Sequence, residues 1–265
     1  MNLIPQTAHS DADMMPNEPP SPPQLPTASN EVGVVDREPD TQILSQCRDF
    51  IFMVHNNFVD EISNLILGMC PPGCQFVRLE TRLKSARSLA RVVESKIEAM
   101  NRVPYDTSEY VTIDQTIRGI DDVVRFSCVC ESADGIVECC EALVATVVAS
   151  PKLQMVKINN WFFDGNRYKG LHLRIRHKPS NLLFEVQIHF PESLNASVTT
   201  HADYEVYRVS FAEMRASSRE RIAQVYAMLV NPPELADIEE FSGIPVTHKR
   251  DEEFERDRSV HPRIE

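Results

Sequence analysis

The sequence predicts an α+β domain: a mixed β-sheet of about five strands flanked by helices, with a disordered tail at each end. Three observations predict it. Apolar residues recur at three- and four-residue spacing in some segments and alternate with polar ones in others. Clusters of Pro and Gly separate those segments. Charge is unevenly divided along the 265 residues. In total, 27 Lys and Arg against 39 Asp and Glu give a net charge of −12. Residues 1–42 carry seven acids and one base, and residues 234–265 carry ten acids and five bases, so the span 43–233 is nearly neutral at −1.

Residues 1–42 also hold eight of the 18 prolines, including Pro19-Pro20 and Pro22-Pro23, and have no periodic apolar pattern. Such a segment buries too little apolar surface to offset the entropy of ordering, so it is expected to be a disordered, Pro-rich acidic tail. Residues 43–233 are expected to form the folded domain and 234–265 a second acidic tail. Met1–Ser10 has neither the basic start nor the apolar stretch of a secretory signal, which points to a cytoplasmic protein. A polar leader with Ser, Thr and Pro is also of the kind that effectors injected by bacterial secretion machines carry, so export by a non-Sec injection system stays open. No apolar run approaches the ~18 residues that span a bilayer, which speaks against a membrane protein. The acidity speaks against a surface built to coat DNA.

Gln42–Met69 carries Ile43, Leu44, Cys47, Phe50, Ile51, Val54, Phe58, Ile62, Leu65 and Ile66 at helical spacing, an amphipathic helix of about seven turns. Pro71-Pro72-Gly73 ends it. Phe76–Arg82 is weakly extended. Ser85–Met100 reads as a helix capped by its serine, with Leu89, Val92, Val93, Ile97 and Met100 inward. Val123–Cys130 is rich in β-branched residues, a strand. Ala133–Ser150 is helical, with Ile136, Cys139, Cys140, Leu143, Val144, Val147 and Val148 on one face. Leu153–Ile158, Tyr168–His177 and Leu182–Phe190 are strands, the last two joined by a hairpin turn at Lys178–Asn181. Ser217–Val230 is a final helix burying Ile222, Val225, Tyr226 and Leu229, ended by Pro232-Pro233. The seven cysteines suit small buried hydrophobes: Cys128 and Cys130 share a strand face, and Cys139 and Cys140 a helix. Cys70 and Cys74 flank a turn and offer two thiolates to zinc. No second pair with metal spacing follows, so reduced, buried thiols are expected.

The chemistry-bearing residues gather on two of these strands. His172, Arg174 and Arg176 alternate with Leu171, Leu173 and Ile175, and Glu185, Gln187 and His189 share one face of the neighbouring strand. Arg82, Lys84, Arg87 and Arg91 form a basic run entering a helix, where side chains and backbone amides both favour a phosphate. Asp121-Asp122 precede one strand and Glu185 lies inside another. Two carboxylates on neighbouring strands can hold a Mg²⁺ that water and substrate phosphates complete. Tyr168, behind the Asp164-Gly165-Asn166 turn, offers a ring on which a nucleobase can stack. Phosphate cations, metal carboxylates and a stacking ring are the parts of metal-assisted phosphoryl or pyrophosphoryl transfer.

The segments Arg82-Leu-Lys-Ser-Ala-Arg-Ser-Leu-Ala-Arg91, Ile120-Asp-Asp-Val-Val-Arg-Phe126, Tyr168-Lys-Gly-Leu-His172 and Phe184-Glu-Val-Gln-Ile-His189 resemble, in order, the signature of the RelA/SpoT-type synthetases. These are nucleotide pyrophosphokinases that make (p)ppGpp and related alarmones. Glu192-Ser193 and Thr200-His201-Ala-Asp-Tyr204-Glu205 resemble a branch of small stand-alone and toxin-like members. The resemblance spans about Phe76 to Arg208. It implies a nucleotidyltransferase-like synthetase fold in a bacterial enzyme with Mg²⁺ as cofactor. Arg82 and Lys84 would bind the ATP phosphates, supported by Ser88 and Arg91. Asp122 would be a Mg²⁺ ligand, with Asp121 in competition. Lys157 and Asn159 or Asn160 would line the acceptor pocket, Tyr168 would stack on the acceptor base, and His172 would contact the acceptor nucleotide. Glu185 would help hold Mg²⁺ and activate the acceptor 3′-hydroxyl, with Gln187 in support.

Two departures stand out. A basic residue of the long enzymes falls on Val92, and the usual Arg-Thr after the glutamate strand is His189-Phe190. There is no adjacent His-Asp pair of the kind the family's hydrolase domain uses. The expected reaction is transfer of the β,γ-pyrophosphate of ATP to the 3′-hydroxyl of a purine nucleotide, GDP or GTP first. Adenosine nucleotides and a tRNA 3′ end stay open as acceptors. A toxin-like effector and a catalytically silent nucleotide-binding module are the competing expectations.

Overall fold

A computed structural model describes residues 38–68, 70–101, 111–163, 166, 168–204, 212–229 and 231–250. The sheet has seven strands rather than about five: β1 (Cys74–Val77), β2 (Val124–Cys130), β3 (Leu153–Asn160), β4 (Leu171–His177), β5 (Leu182–His189), β6 (Glu240–Phe241) and β7 (Ile244–His248). Their spatial order is β1-β2-β5-β4-β3-β7-β6. The β2–β5 and β3–β7 pairs are parallel and the others antiparallel.

Alternation explains the central strands. Val124, Phe126, Cys128 and Cys130 of β2 are buried, with the half-buried Arg125, Ser127 and Val129 between them. Leu171, Leu173 and Ile175 of β4 are fully buried, interleaved with His172, Arg174 and Arg176. Phe126 sits edge-on between Phe76 and Phe184, with ring centroids 6.3 Å apart on each side. The apolar face so formed packs against helix α5 (Ala133–Ala149), whose Ile136, Cys139, Cys140, Leu143, Val144 and Val147 are buried in the same core. Val148, expected on that face, is 63% exposed.

The expected seven-turn helix is two helices, α1 (Thr41–Asn57) and α2 (Val59–Leu67), broken at Phe58 with φ −131° and ψ −28°. The break brings the Phe58 ring against His177 at the end of β4, 6.1 Å between centroids. Asp40 caps α1, its carboxylate accepting from the amides of Gln42 (2.9 Å) and Ile43 (3.1 Å). The weakly extended Phe76–Arg82 resolves into β1, Arg78 in the left-handed region (φ 57°), and a 3₁₀ turn at Leu79–Thr81. Helix α3 (Ala86–Asn101) buries Leu89, Ala90 and Val93 and leaves Met100, expected inward, 38% exposed. The Ser85 hydroxyl accepts from the Ser88 amide at 3.2 Å. Ser85→Ala removes this cap and is expected to cost about 1 kcal/mol in denaturant unfolding.

Two short helices escape periodicity. α4 (Ile113–Arg118) starts at a Thr112–Gln115 capping box, and α6 (Pro191–Thr199) has Pro at its first position. α7 (Ala212–Ala227) packs Ile222 and Tyr226 against Ala196 of α6, with Tyr168 at the edge of this second, smaller cluster. The strand count rises above five partly at the C-terminal end, where residues 234–265 were expected to be a tail. α8 (Pro233–Ala236), β6 and β7 instead join the fold, burying Leu235 and Phe241 in the main core. Ser242 (φ 48°) and Gly243 (φ 78°) make the two-residue hairpin turn between β6 and β7. Net acidity concealed these few apolar residues. Asp251–Glu265 and residues 1–37 lie outside the described residues. No helix among the described residues is long and apolar enough to cross a membrane.

Candidate active site

Register gathers distant residues on the sheet face opposite α5. Parallel pairing of β2 with β5 sets Arg125 beside Glu185. Antiparallel pairing of β5 with β4 sets Arg174 beside Glu185 and His172 beside Gln187, and β4 with β3 sets Lys157 beside Arg174 and Asn159 beside His172. Glu185, Gln187, His172, Lys157 and Asn159 were all expected in the site, and they meet here. Arg125 had been given no role. Its signal was the polar half of the β2 alternation, one charged residue among apolar ones.

Glu185 is only 4% exposed. Its Oε1 lies 2.9 Å from His172 Nδ1, and its Oε2 accepts from Gln187 Nε2 at 2.7 Å. Burial by itself would raise its pKa. The charge and hydrogen bond of His172, then Gln187 and the charge of Arg125, outweigh burial and hold it down at about 2.

Tyr168 does not head β4 as expected. It lies three residues before the strand, in the loop, with its ring half-buried and edge-on to Trp161, His172 and His189. Its hydroxyl is 2.6 Å from His172 Nε2 and 3.1 Å from His189 Nε2, and His189 Nδ1 is 3.1 Å from the Lys169 carbonyl. The carbonyl can only accept, so His189 donates from Nδ1. Burial, then the positive charge on His172, push the His189 pKa down to about 3, leaving it neutral with Nε2 as an acceptor. Tyr168 therefore donates to His189 and accepts from His172 Nε2, and His172 donates from Nδ1 to Glu185. His172 thus links the Tyr168 hydroxyl to the Glu185 carboxylate. His189, which replaces an arginine of the resembled pattern, fixes the Tyr168 hydroxyl in place. Burial first, then the nearby Tyr226 and Glu185, hold the Tyr168 pKa well above its usual value, so its proton stays on.

The basic run lies beside this face. Leu83 bridges Val124, the Lys84 amide donates to the Val123 carbonyl at 2.9 Å, and the Arg125 amide donates to the Arg82 carbonyl at 2.7 Å. These bonds carry Arg82 and Lys84 to the start of β2. Lys84 Nζ donates to Asp122 Oδ2. Arg82 donates from Nη1 to the Leu79 carbonyl and pairs with Asp60 at 3.8 Å. Ser88 and Arg91 are half-buried on the first turns of α3, where the Ser88 amide serves the cap.

Asp121 and Asp122 face different partners. Arg174 Nε lies 2.7 Å from Asp121 Oδ2, a close ion pair off the N–H direction. Burial raises the Asp121 pKa, with the charge of Arg174 opposing and those of Glu185 and Asp122 adding. Asp121 thus senses Glu185, while Asp122 holds Lys84. Carboxylate oxygens are the hard donors that Mg²⁺ takes, so the donor chemistry of Glu185, Asp121 and Asp122 fits that ion. Of the two asparagines weighed for the acceptor pocket, Asn160 is structural: its amide donates to the Leu235 carbonyl and its oxygen accepts from the Phe162 amide. Asn159 Oδ1 and Trp161 Nε1 are buried beside His172 and Tyr168 without a partner among the described residues. Burial lowers the Lys157 pKa, with Lys249 and Arg174 adding repulsion. A groove of about 570 Å³ lies between β1, β2 and α6, but none of its lining residues belongs to this set. Glu205 and the Asp164-Gly165 part of the turn before Tyr168 lie outside the described residues.

No family model matches the sequence, and no curated protein matches it. Several solved structures are similar in outline. Small alarmone synthetase 1 from Bacillus subtilis, bound to its product pppGpp, is 14% identical, covers 82% of this chain and 98% of its own, and has a TM-score of 0.47. Small alarmone synthetase 2 from the same organism is 17% identical, covering 69% of this chain and 90% of its own at a TM-score of 0.35. A GTP pyrophosphokinase family protein from Streptococcus pneumoniae is 12% identical, covering 70% and 85% at 0.37. At such identities and scores these likenesses decide nothing about what this chain binds or does.

Proposed function

We propose that this chain is a nucleotide pyrophosphokinase of the RelA/SpoT type, moving the β,γ-pyrophosphate of ATP to the 3′-hydroxyl of a purine nucleotide. The observation that carries this reading is the convergence on one sheet face of a buried, ionised Glu185 with Arg125, Arg174, Lys157 and His172. The two arginines and the lysine suit two polyphosphates held side by side, and a carboxylate among them suits an incoming hydroxyl.

Each group then has a task. Lys84 and Arg82 bind the ATP phosphates, with Ser88 and Arg91 behind them. Arg125 and Arg174 spread positive charge under the transferred group. Asn159 and Trp161, each with a buried polar atom unpartnered among the described residues, line the acceptor side with Lys157. Tyr168 offers its ring to the acceptor base, its hydroxyl anchored by His172 and His189. Glu185 and Asp122 would hold Mg²⁺, with Asp121 the competing carboxylate. The ion would neutralise charge on the phosphates.

With a pKa near 2, Glu185 is a weak base. Phosphoryl-type transfer passes through a loose transition state in which the nucleophile is barely bonded, so a carboxylate need only orient the hydroxyl and accept its proton late. The Glu185 ionisation should therefore leave no inflection in the rate above about pH 4, measured as initial velocity against pH.

The test is purified protein with ATP labelled in its terminal phosphates and a panel of GDP, GTP, adenosine nucleotides and tRNA, products identified by mass spectrometry. Pyrophosphorylated GDP or GTP is the expected product. Label on the tRNA end would redirect the acceptor, and no transfer to any of them would overturn the reading. Lys84→Ala removes a point charge from the phosphates and is expected to raise the KM for ATP about tenfold. An unchanged KM would take Lys84 out of the ATP site.

A further inference from the structure

Five of the seven cysteines meet on the α5 side of the sheet, opposite the polar face. The Cys74, Cys130 and Cys139 sulfurs all lie within 4.8 Å of one another. Cys74 and Cys130 are register partners on β1 and β2, and Cys139 comes down from α5. Cys128 Sγ, on the same face of β2 as Cys130, is 3.5 Å from Cys139 Sγ and 3.5 Å from Cys70 Sγ. No other group of His, Cys, Asp or Glu among the described residues comes together this way. Cys47 and Cys140 are the contrast, buried yet outside the group.

A thiol serving only as a small hydrophobe has no reason to seek others, and two strands and a helix would not need to deliver them to one point. We propose that Cys74, Cys130, Cys139 and Cys128 form a four-thiolate zinc site joining β1, β2 and α5. In a tetrahedral site with Zn–S near 2.3 Å the sulfurs stand about 3.8 Å apart. Cys74, Cys130 and Cys139 stand within 4.8 Å of one another and Cys128 stands 3.5 Å from Cys139, so the fourth ligand has to rotate from the Cys139 side toward the other two sulfurs to close the shell. All-sulfur donors select a soft or borderline ion and exclude Mg²⁺ and Ca²⁺.

The location gives the ion a structural task. β1 is a four-residue edge strand behind the Pro71-Pro72-Gly73 turn, held to the sheet through β2 alone. Two zinc bonds from β2, one from β1 and one from α5 would pin that edge. The Gly135 carbonyl accepts from the Cys74 thiol at 3.3 Å, and a Cβ on Gly135 would stand 3.6 Å from Cys74 Sγ, which shows how closely α5 approaches. The sequence conceals the set because its ligands arise at positions 74, 128, 130 and 139 on three elements, with no paired spacing.

The full chain, purified without chelator, is expected to hold about one zinc by elemental mass spectrometry, with closed shell and no open catalytic position. Replacement by Co²⁺ should give the visible bands of a tetrahedral ion and a sulfur-to-cobalt charge-transfer band. Cys130→Ser and Cys139→Ser should each lose the metal, and Cys47→Ala should keep it. Should the serine variants fail to fold, the wild-type cobalt spectrum still decides. A wild-type chain that carries no zinc and takes none from Zn²⁺ against a chromophoric chelator would overturn the proposal, as would a cobalt spectrum of oxygen ligation. None of these readouts depends on pyrophosphate transfer.

Discussion

Glu185→Gln is expected to lower pyrophosphate transfer about 10³-fold at saturating ATP and acceptor, the range lost when a transition-state carboxylate or its electrostatic partner is removed. Gln is nearly the same shape, and its carbonyl oxygen can still accept one of the two hydrogen bonds now made by His172 and Gln187. The negative charge is lost, and with it the acceptor of the hydroxyl proton and one proposed metal ligand. Removing one member of a buried ion pair is costly when the partner must stay charged. Here Gln keeps the shape of the side chain and one of its two hydrogen bonds, so cooperative unfolding should persist at a lowered midpoint. Circular dichroism and denaturant titration check that the fold survives. Turnover near the wild-type rate in this variant would remove Glu185 from the mechanism.

The second large effect is loss of stability in acid. His189 is fully buried, and its pKa falls from 6.5 to about 3, through burial first and then the charge on His172. The Lys169 carbonyl and Glu185 oppose that fall, and Arg125 adds to it. The folded state thus favours neutral imidazole. Above pH 6.5 neither state binds the proton and the fold is at full strength. As pH drops from 6.5 toward 3 the unfolded chain takes up a proton that the folded chain refuses, so stability is lost at up to about 1.4 kcal/mol per pH unit. Glu185, lowered from 4.5 to about 2, adds a loss of the same sign below pH 4.5. His189→Gln keeps an acceptor for Tyr168 and a donor for the Lys169 carbonyl, and cannot titrate. Urea midpoints of the wild type should fall steeply between pH 6.5 and 4.5, and those of the variant should be flatter. Equal slopes would show that His189 is not the titrating group.

Much of the fold was legible because the central strands carry unmixed signals. Alternation in β4 and β5 gave both faces correctly, and the Lys178–Asn181 turn, with Asn181 at φ 55°, gave their register. What failed was local. One helix became two because periodicity continues across Phe58 although its backbone does not. β6 and β7 were hidden under acidic residues. α4 and α6 are too short for a 3.6-residue repeat to be visible.

The site divides the same way. Glu185, Gln187 and His172 were legible as polar members of amphipathic strands, and Lys157 only through the family resemblance. Arg125, the anchoring of Tyr168 by His189, and the choice of Asn159 over Asn160 were not, since each depends on a neighbour more than ten residues away. The sequence by itself determined which residue types face the core and which face away, because burial of apolar side chains imposes a period on every strand and helix. Only the tertiary structure decided which polar residues face one another, because strand register and helix placement are set by packing between distant segments. Four cysteines on three elements and a carboxylate flanked by two arginines are both products of that register.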